Sequence, residues 1–347
     1  MTGGQREIIQ LPSHAIPRYQ TTYRADETEL ILRLTRRGES LGFVGLAGVG
    51  KSNIVNFLRD IHHNAVQNRP DLEHLYFPVI DAPHWSGSPA SLWKLMWEAL
   101  SQAIQRLSPP PLDPKVIPIS EEERALSMVQ ERLNWACQTA GCQVMFILDD
   151  FDTVLETGPL SMLERLNGLR SEGNREALSY LIFTKRLPHI LGQSYDLDHK
   201  SKFYDLFRRN IYALEPYTEE DAMQMLRHLN DLAGQPLLDG QLQQIYQLAG
   251  GHAGLLKIVF NIWIEEGASG VKTSYFAGKP DVQQECQRIL SNLHEPEQEV
   301  ARLIAQDQHT AEHQDVMDHL VRRGLLLKQD PPTWFSPLFA HFLNSST

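Results

Sequence analysis

Gly45-Leu46-Ala47-Gly48-Val49-Gly50-Lys51-Ser52 satisfies the pattern G-x-x-x-x-G-K-[ST] at every fixed position. Leu41, Phe43 and Val44 form a short apolar run ahead of it, and Ile54, Val55, Leu58, Ile61 and Ala65 follow at helical spacing. Strand, loop and helix therefore come in the order that a phosphate-binding loop needs. Glycines let the backbone N–H groups turn inward around phosphate oxygens, and the helix opening near Lys51 directs its positive dipole end toward them. The Lys51 ammonium reaches the β and γ oxygens, and the Ser52 hydroxyl would hold Mg²⁺. Gly45, Ala47, Gly48, Val49, Gly50, Lys51, Ser52 and Asn53 are the expected nucleotide-binding residues.

A second stretch supplies carboxylates. Val144, Met145, Phe146, Ile147 and Leu148 run straight into Asp149, Asp150, Phe151 and Asp152. A strand with no polar alternation is buried on both faces, as in a parallel sheet, and its end lies at the carboxyl edge where such sheets bind ligands. Beside a phosphate loop, Asp149 would orient Mg²⁺ or its waters, and Asp150 would polarise or position the attacking water. Asp152 reads as a cap or supporting group. Residues 179–183 form another apolar strand that ends in Thr184, Lys185 and Arg186. A cation there would sense the γ-phosphate: Arg186 first, because its fork matches phosphate oxygens and stays charged, and Lys185 second. A solvated basic turn is the plainer alternative. The expected catalytic set is Lys51, Asp150 and Arg186.

With 347 residues, 42% of them hydrophobic, the chain has room for two or three packed domains. Residues 1–20 lack periodicity and read as an N-terminal extension; residues 21–216 read as the nucleotide-binding domain. Within it, Pro78 demotes the strand of residues 75–81 to a sheet edge. From Thr218, whose spacing to Asp221 is that of a capping box, strand alternation stops, and residues 217–278 read as a helical lid. His252 opens a helix inside it, as a capping or packing histidine rather than a phosphate contact. The longest apolar run, residues 254–264, is too short for a membrane span and carries Lys257. With no secretory leader read ahead of the fold, a soluble, cytoplasmic protein with no membrane partner is expected. Cys137, Cys142 and Cys286 lack metal-ligand spacing and read as reduced packing thiols.

Residues 279–347 give three helices, a strand, a turn at Asp330 and its following prolines, a second strand and a terminal helix, the order of a winged helix. Its third helix would be the one to enter a major groove. Over residues 281–347, however, ten acidic side chains stand against five basic ones, and the whole chain has a formal charge of −11. That balance disfavours phosphate contacts and leaves DNA the less favoured partner, behind intramolecular packing or protein contact.

These residues together resemble the STAND-type ATPases, the AAA+-related group that includes NACHT and NB-ARC modules and archaeal-type ATPases. The resemblance spans residues 23–343. Residues 24–30 resemble the box that precedes the phosphate loop, which implies that Arg24 contacts the nucleotide; residues 144–150 resemble a Walker B strand; Thr184, Lys185 and Arg186 resemble the sensor strand. Leu248 to Ala253 resembles the lid turn in which a proline follows the glycines, with Ala253 in its place. Asp150 stands where many relatives have glutamate, which implies slow hydrolysis. The resemblance further implies an α/β P-loop sheet of order 5-1-4-3-2 with the sensor strand between the other two, ATP or ADP with Mg²⁺ as cofactors, and nucleotide-dependent closure or self-association with a protein partner in a regulatory or defence pathway. A DNA-engaging ATPase of origin-recognition or transposition-adaptor type is the alternative.

Overall fold

The computed structural model describes residues 23–64, 69–111, 120–171, 173–267, 272–308, 310–327, 329 and 331–345, with the side chains of residues 63 and 64 outside that description. The extension of residues 1–20, Ala65 of the first helical pattern, and Asp330 of the expected wing turn lie outside the described residues.

The phosphate-loop strand β1 (Leu41–Gly45) lies in a parallel sheet with β2 (Leu75–Tyr76), β3 (Val79–Asp81), β4 (Gln143–Asp149), β5 (Leu178–Thr184) and β6 (Ile211–Leu214). The spatial order is β2-β4-β5-β1-β6, with β3 also on β4. Counting the Pro78-split edge as one strand, this is the expected order 5-1-4-3-2, and β5 stands between β1 and β4. Pro78 explains the split: it accepts the Ile147 N–H at 2.9 Å through its carbonyl but has no N–H to give, a defect tolerated only at an edge.

Successive residues of β4 face opposite cores, as the two-residue period of a strand requires. Val144, Phe146 and Leu148 pack with Trp93, Val129 and Leu163 on one side; Met145 and Ile147 pack with Ile31, Ile54 and Leu58 on the other. Both faces are covered, so the apolar run without alternation is what burial on two sides demands. The second of these cores continues past β6 through Tyr217, Leu226, Leu256 and Trp263 to Ile289 and Phe339. The helices after the sheet are thus packed onto it rather than strung from it.

Three helices follow the sheet, Glu219–Leu232, Asp239–Ala249 and Ala253–Glu266. The Thr218 hydroxyl accepts the Asp221 N–H at 3.2 Å, the cap its spacing foretold. Then come Pro280–Ser291, Glu295–Ala305 and Gln314–Arg322, a short antiparallel pair β7 (Leu326–Leu327) and β8 (Thr333–Trp334), and the closing helix Pro337–Ser345. These last elements dock on the turn between the second and third of the earlier helices. The Ser336 hydroxyl donates to the Leu248 carbonyl at 2.7 Å, and Gly250 is left-handed (φ 62°) where a Cβ would lie 1.8 Å from the Phe335 carbonyl oxygen.

This contact makes a prediction. Gly250→Ala pairs an unfavourable φ with a backbone clash and should lower stability by about 3 kcal/mol or more, whereas Gly141→Ala, left-handed but in open space, should cost about 1 kcal/mol. Thermal or urea unfolding of the two variants checks it, with equal losses as the contrary result.

Candidate nucleotide-binding site

The phosphate loop joins β1 to the helix Lys51–Arg59, whose first residue follows Gly50 at φ 105° and Gly48 at φ 76°. Both values need glycine. Three consecutive loop carbonyls are held from outside the loop. The Ala47 oxygen accepts from His252 Nε2 at 3.0 Å, the Gly48 oxygen from the Gly254 N–H at 2.9 Å, and the Val49 oxygen from Arg24 Nη2 at 3.1 Å. Because a peptide unit is planar, fixing the Ala47 and Val49 carbonyls outward turns the N–H groups of Gly48 and Gly50 the opposite way, toward the cavity. Tyr217 closes the loop's far end: its hydroxyl accepts from Asn53 Nδ2 at 2.7 Å and sits where a Cβ on Gly50 would lie only 2.5 Å away.

Lys51 is 8% exposed, and its ammonium donates to the Gly45 carbonyl at 3.0 Å. Burial lowers its proton affinity, while the nearby charges of Asp150 and Asp152 raise it. Asp150 Oδ1 lies 3.8 Å from Lys51 Nζ and 3.5 Å from Lys185 Nζ. Asp150 is itself left-handed at φ 47°, a conformation that Asp tolerates better than most side chains, and it follows directly on β4. Asp149 Oδ1 accepts the Asp150 N–H at 3.0 Å. Burial, reinforced by the Asp150 charge, pushes the Asp149 carboxyl up to about 6. Asp152 accepts the Lys185 N–H at 2.9 Å and so fixes the end of β5.

A cavity of about 660 Å³ opens over these groups. Gly48, Gly50, Lys51 and Ser52 line it, together with Asp150 and Lys185 and with Tyr23 and Asn53. Its roof comes from much later in the chain: Gln224, Met225, His228 and Leu229, then Lys257, then Arg288 and Asn292. The Lys51 and Lys185 ammonium groups stand beside Asp150, and Met225 and Leu229 add apolar lining, a set of groups suited to a polyanion joined to a less polar group. Ser52 and Asp150 give the cavity oxygen donors of the kind Mg²⁺ prefers, and Asp149, outside the lining, adjoins them through the Asp150 N–H it accepts. Asp150 Oδ1, buried and without a hydrogen-bond donor among the described residues, fits a site that receives further positive charge.

Gly45, Val49 and Asp149 do not line the cavity, and two further expected residues sit elsewhere. Arg186 is exposed and outside the cavity, while its neighbour Lys185 faces Asp150. Successive residues leaving a strand point to opposite sides, so only one of the pair can face the loop. Arg24, 2% exposed, is committed to protein: it pairs with Glu27, donates to the Val49 and Glu215 carbonyls, and stacks its guanidinium 4.5 Å from the Tyr217 ring centre. It braces the loop from behind instead of lining the cavity. Lys257, Arg288 and Asn292 were missed, because each belongs to a helix pattern with no local mark of a ligand. His252 is fully buried; besides holding the Ala47 carbonyl it caps its helix by accepting the Leu255 N–H at Nδ1, 3.3 Å away.

No protein-family model matches the sequence, and no curated protein matches it. Solved structures match by fold. The Walker-type ATPase PABY2304 of Pyrococcus abyssi superposes with a TM-score of 0.58 and 15% identity, over 94% of this chain and 98% of its own. The ORC2 protein of Aeropyrum pernix, solved as ADPNP–ADP complexes, gives 0.54 and 13%, over 96% and 97%. Its ADP form gives 0.53 and 12%, over 98% and 97%. The likeness is one of fold, and it covers nearly the whole chain.

His252 makes the loop's support sensitive to pH. Burial chiefly, and the Arg288 charge in addition, lower its pKa to about 4, against 6.5 when free. The unfolded chain therefore takes up a proton first as pH falls below 6.5, and stability drains away until the folded form also titrates near 4. The loss should reach roughly 2 kcal/mol by about pH 5. His252→Asn keeps a cap acceptor and should flatten this part of the stability profile; identical pH slopes in urea melts would exclude the assignment.

Proposed function

We propose that this chain binds ATP and ADP with Mg²⁺ in the cavity above the glycine loop, hydrolyses ATP slowly, and uses the exchange as a conformational switch of the STAND type. The observation that carries the reading is Asp150, held between the Lys51 and Lys185 ammonium groups at the mouth of a loop whose amides turn inward. Such an arrangement offers a polyphosphate two cations and the attacking water one carboxylate. The similarly folded ORC2 protein in ADPNP–ADP complexes supports an adenine nucleotide as the ligand.

In this reading the backbone of Gly45 and of residues 47–53 cradles the phosphates, and Lys51 spans the outer two. Ser52 and Asp149 would hold Mg²⁺, which when bound would neutralise charge on the phosphate oxygens. Asp149, pushed up to about 6, is ionised at neutral pH and ready for a cation. Asp150 orients the water, and its short side chain keeps turnover slow. Lys185, rather than Arg186, meets the γ-phosphate. Residues 217–278 act as lid and residues 279–347 as winged helix, with self-association or a protein partner in the cytoplasm as the output. Each nucleotide can move these parts only by the difference in its affinity for their two arrangements.

The element order of the C-terminal segment favours one further reading, a DNA-engaging ATPase. Its third helix presents Asp315 and Asp318 to solvent, however, which weighs against phosphate contact. Duplex binding that strengthens steeply at low salt and stimulates hydrolysis would favour this reading; no binding at low salt would remove it.

Lys51→Ala should abolish the stabilisation given by Mg²⁺ with ATP or ADP, about 2.7 kcal/mol at a hundredfold excess over Kd. Asp150→Ala should keep nucleotide and lose turnover. Lys185→Ala should slow phosphate release about tenfold or more, with Arg186→Ala close to wild type. Single-turnover phosphate release and thermal shift read all four variants, and full activity in Asp150→Ala would reject the proposed role of that carboxylate.

A further inference from the structure

Arg24 stands at the N-cap of the first helix, Ala25–Thr35, with a left-handed backbone (φ 43°, ψ 53°) and 2% of its surface exposed. A residue with a long side chain enters that conformation only at a cost, and the Asp221 carboxylate holds it there by accepting the Arg24 N–H at 2.8 Å. The guanidinium is committed to three acceptors. Its Nη1 pairs with Glu27, and its Nη2 donates to the Val49 carbonyl at 3.1 Å and to the Glu215 carbonyl at 2.9 Å. Nε has no acceptor among the described residues, so losing the Val49 carbonyl would strip a further N–H of a buried cation.

That carbonyl belongs to the Val49–Gly50 peptide. A planar peptide turns as a whole: with the carbonyl held outward the Gly50 N–H faces the cavity, and the flipped unit would show an oxygen to an anion instead. Gly50 does not choose between the two. Its φ of 105° would change sign on flipping, and glycine takes either sign with similar ease. His252 and the Gly254 N–H hold the carbonyls of other peptide units, so they leave this one undecided. We propose that Arg24 is a positioning residue: by holding the Val49 carbonyl it keeps the Gly50 N–H aimed at the phosphates, without touching them itself. This inference rests on the phosphate-binding reading of the loop, and adds the group that selects the binding orientation. ADP and ATP depend on it alike, because loop amides of this kind serve the inner phosphates that both nucleotides carry.

The test is calorimetric titration of the full chain with Mg²⁺–ADP and with Mg²⁺–ATPγS, at a temperature where melting curves show each variant folded. Arg24→Gln should weaken both nucleotides by one common factor, about tenfold to a hundredfold. Arg24→Lys restores a charged donor that cannot serve all three acceptors at once, and should lose only severalfold. If Arg24→Gln does not fold, Arg24→Lys carries the test, and full affinity in it then overturns the proposal. Thr218→Ala controls for a merely structural role: it removes the cap of the helix that carries Asp221 and leaves the guanidinium in place. It should lower the melting temperature while both nucleotides bind as in the wild type. Wild-type affinity in Arg24→Gln overturns the proposal, as does a loss equal to it in Thr218→Ala. A loss confined to ATPγS also overturns it, since that would make Arg24 a ligand of the outer phosphate. Lys51→Ala separates the two levels. If it abolishes binding while Arg24→Gln changes nothing, the site stands and the role of Arg24 falls; if Lys51→Ala binds normally, both fall.

Discussion

An ammonium group with almost no access to water sets the terms for the rest of this molecule. Lys51 opens a helix at the end of a buried strand, and removing its charge from solvent costs several kcal/mol unless partners offset it. The Gly45 carbonyl takes one of its protons, and the carboxylates that follow β4 supply the opposing charge. They are near because β4 and β1 flank β5 with their carboxyl ends together. The compensation is partial: Asp150 Oδ1 lies 3.8 Å from Lys51 Nζ and 3.5 Å from Lys185 Nζ, without a hydrogen bond to either.

The glycines permit the loop's shape, and distant segments hold it. The carbonyls of Ala47, Gly48 and Val49 are each held by a donor from a distant segment: the His252 ring, the Gly254 amide and the Arg24 guanidinium. Cradle geometry is therefore a property of the packed chain, since His252 and Gly254, far along the sequence yet pressed on the loop, hold two of the three carbonyls.

A parallel link joins the end of β5 to the C-terminal helices. Arg323 is nearly buried, binds both oxygens of Glu297 at 2.8 and 2.6 Å, and donates to the Lys185 carbonyl at 3.3 Å. Against the burial that opposes it, His319 and Arg323 hold the Glu297 carboxyl down at about 2. The residue that faces Asp150 through its side chain is thus tied through its backbone to a charged cluster in the third domain-sized segment. Gly48 and Lys185 are thus each in contact with the C-terminal segment, the first with Glu285 and Arg288 on Pro280–Ser291 and the second with Arg323 at the end of Gln314–Arg322.

Local chemistry is legible in a linear text, and it determined much here. The glycine loop, the apolar run into Asp149 and Asp150, the proline that marks an edge and the cap at Thr218 all depend on neighbours within a few residues, and each specified its element. Their combination also specified the sheet order, through resemblance to other chains that carry the same set. Direction is a different matter. Which of Lys185 and Arg186 looks inward, and whether the Arg24 guanidinium reaches a ligand or a carbonyl, turn on a rotation about the backbone that packing fixes. Arg288 reads as one charge on an amphipathic helix, for the sequence has no means of stating which loop that helix will be pressed against. Burial of a continuous apolar core from β1 to Phe339 made that choice, and with it decided which late residues stand over the phosphate loop.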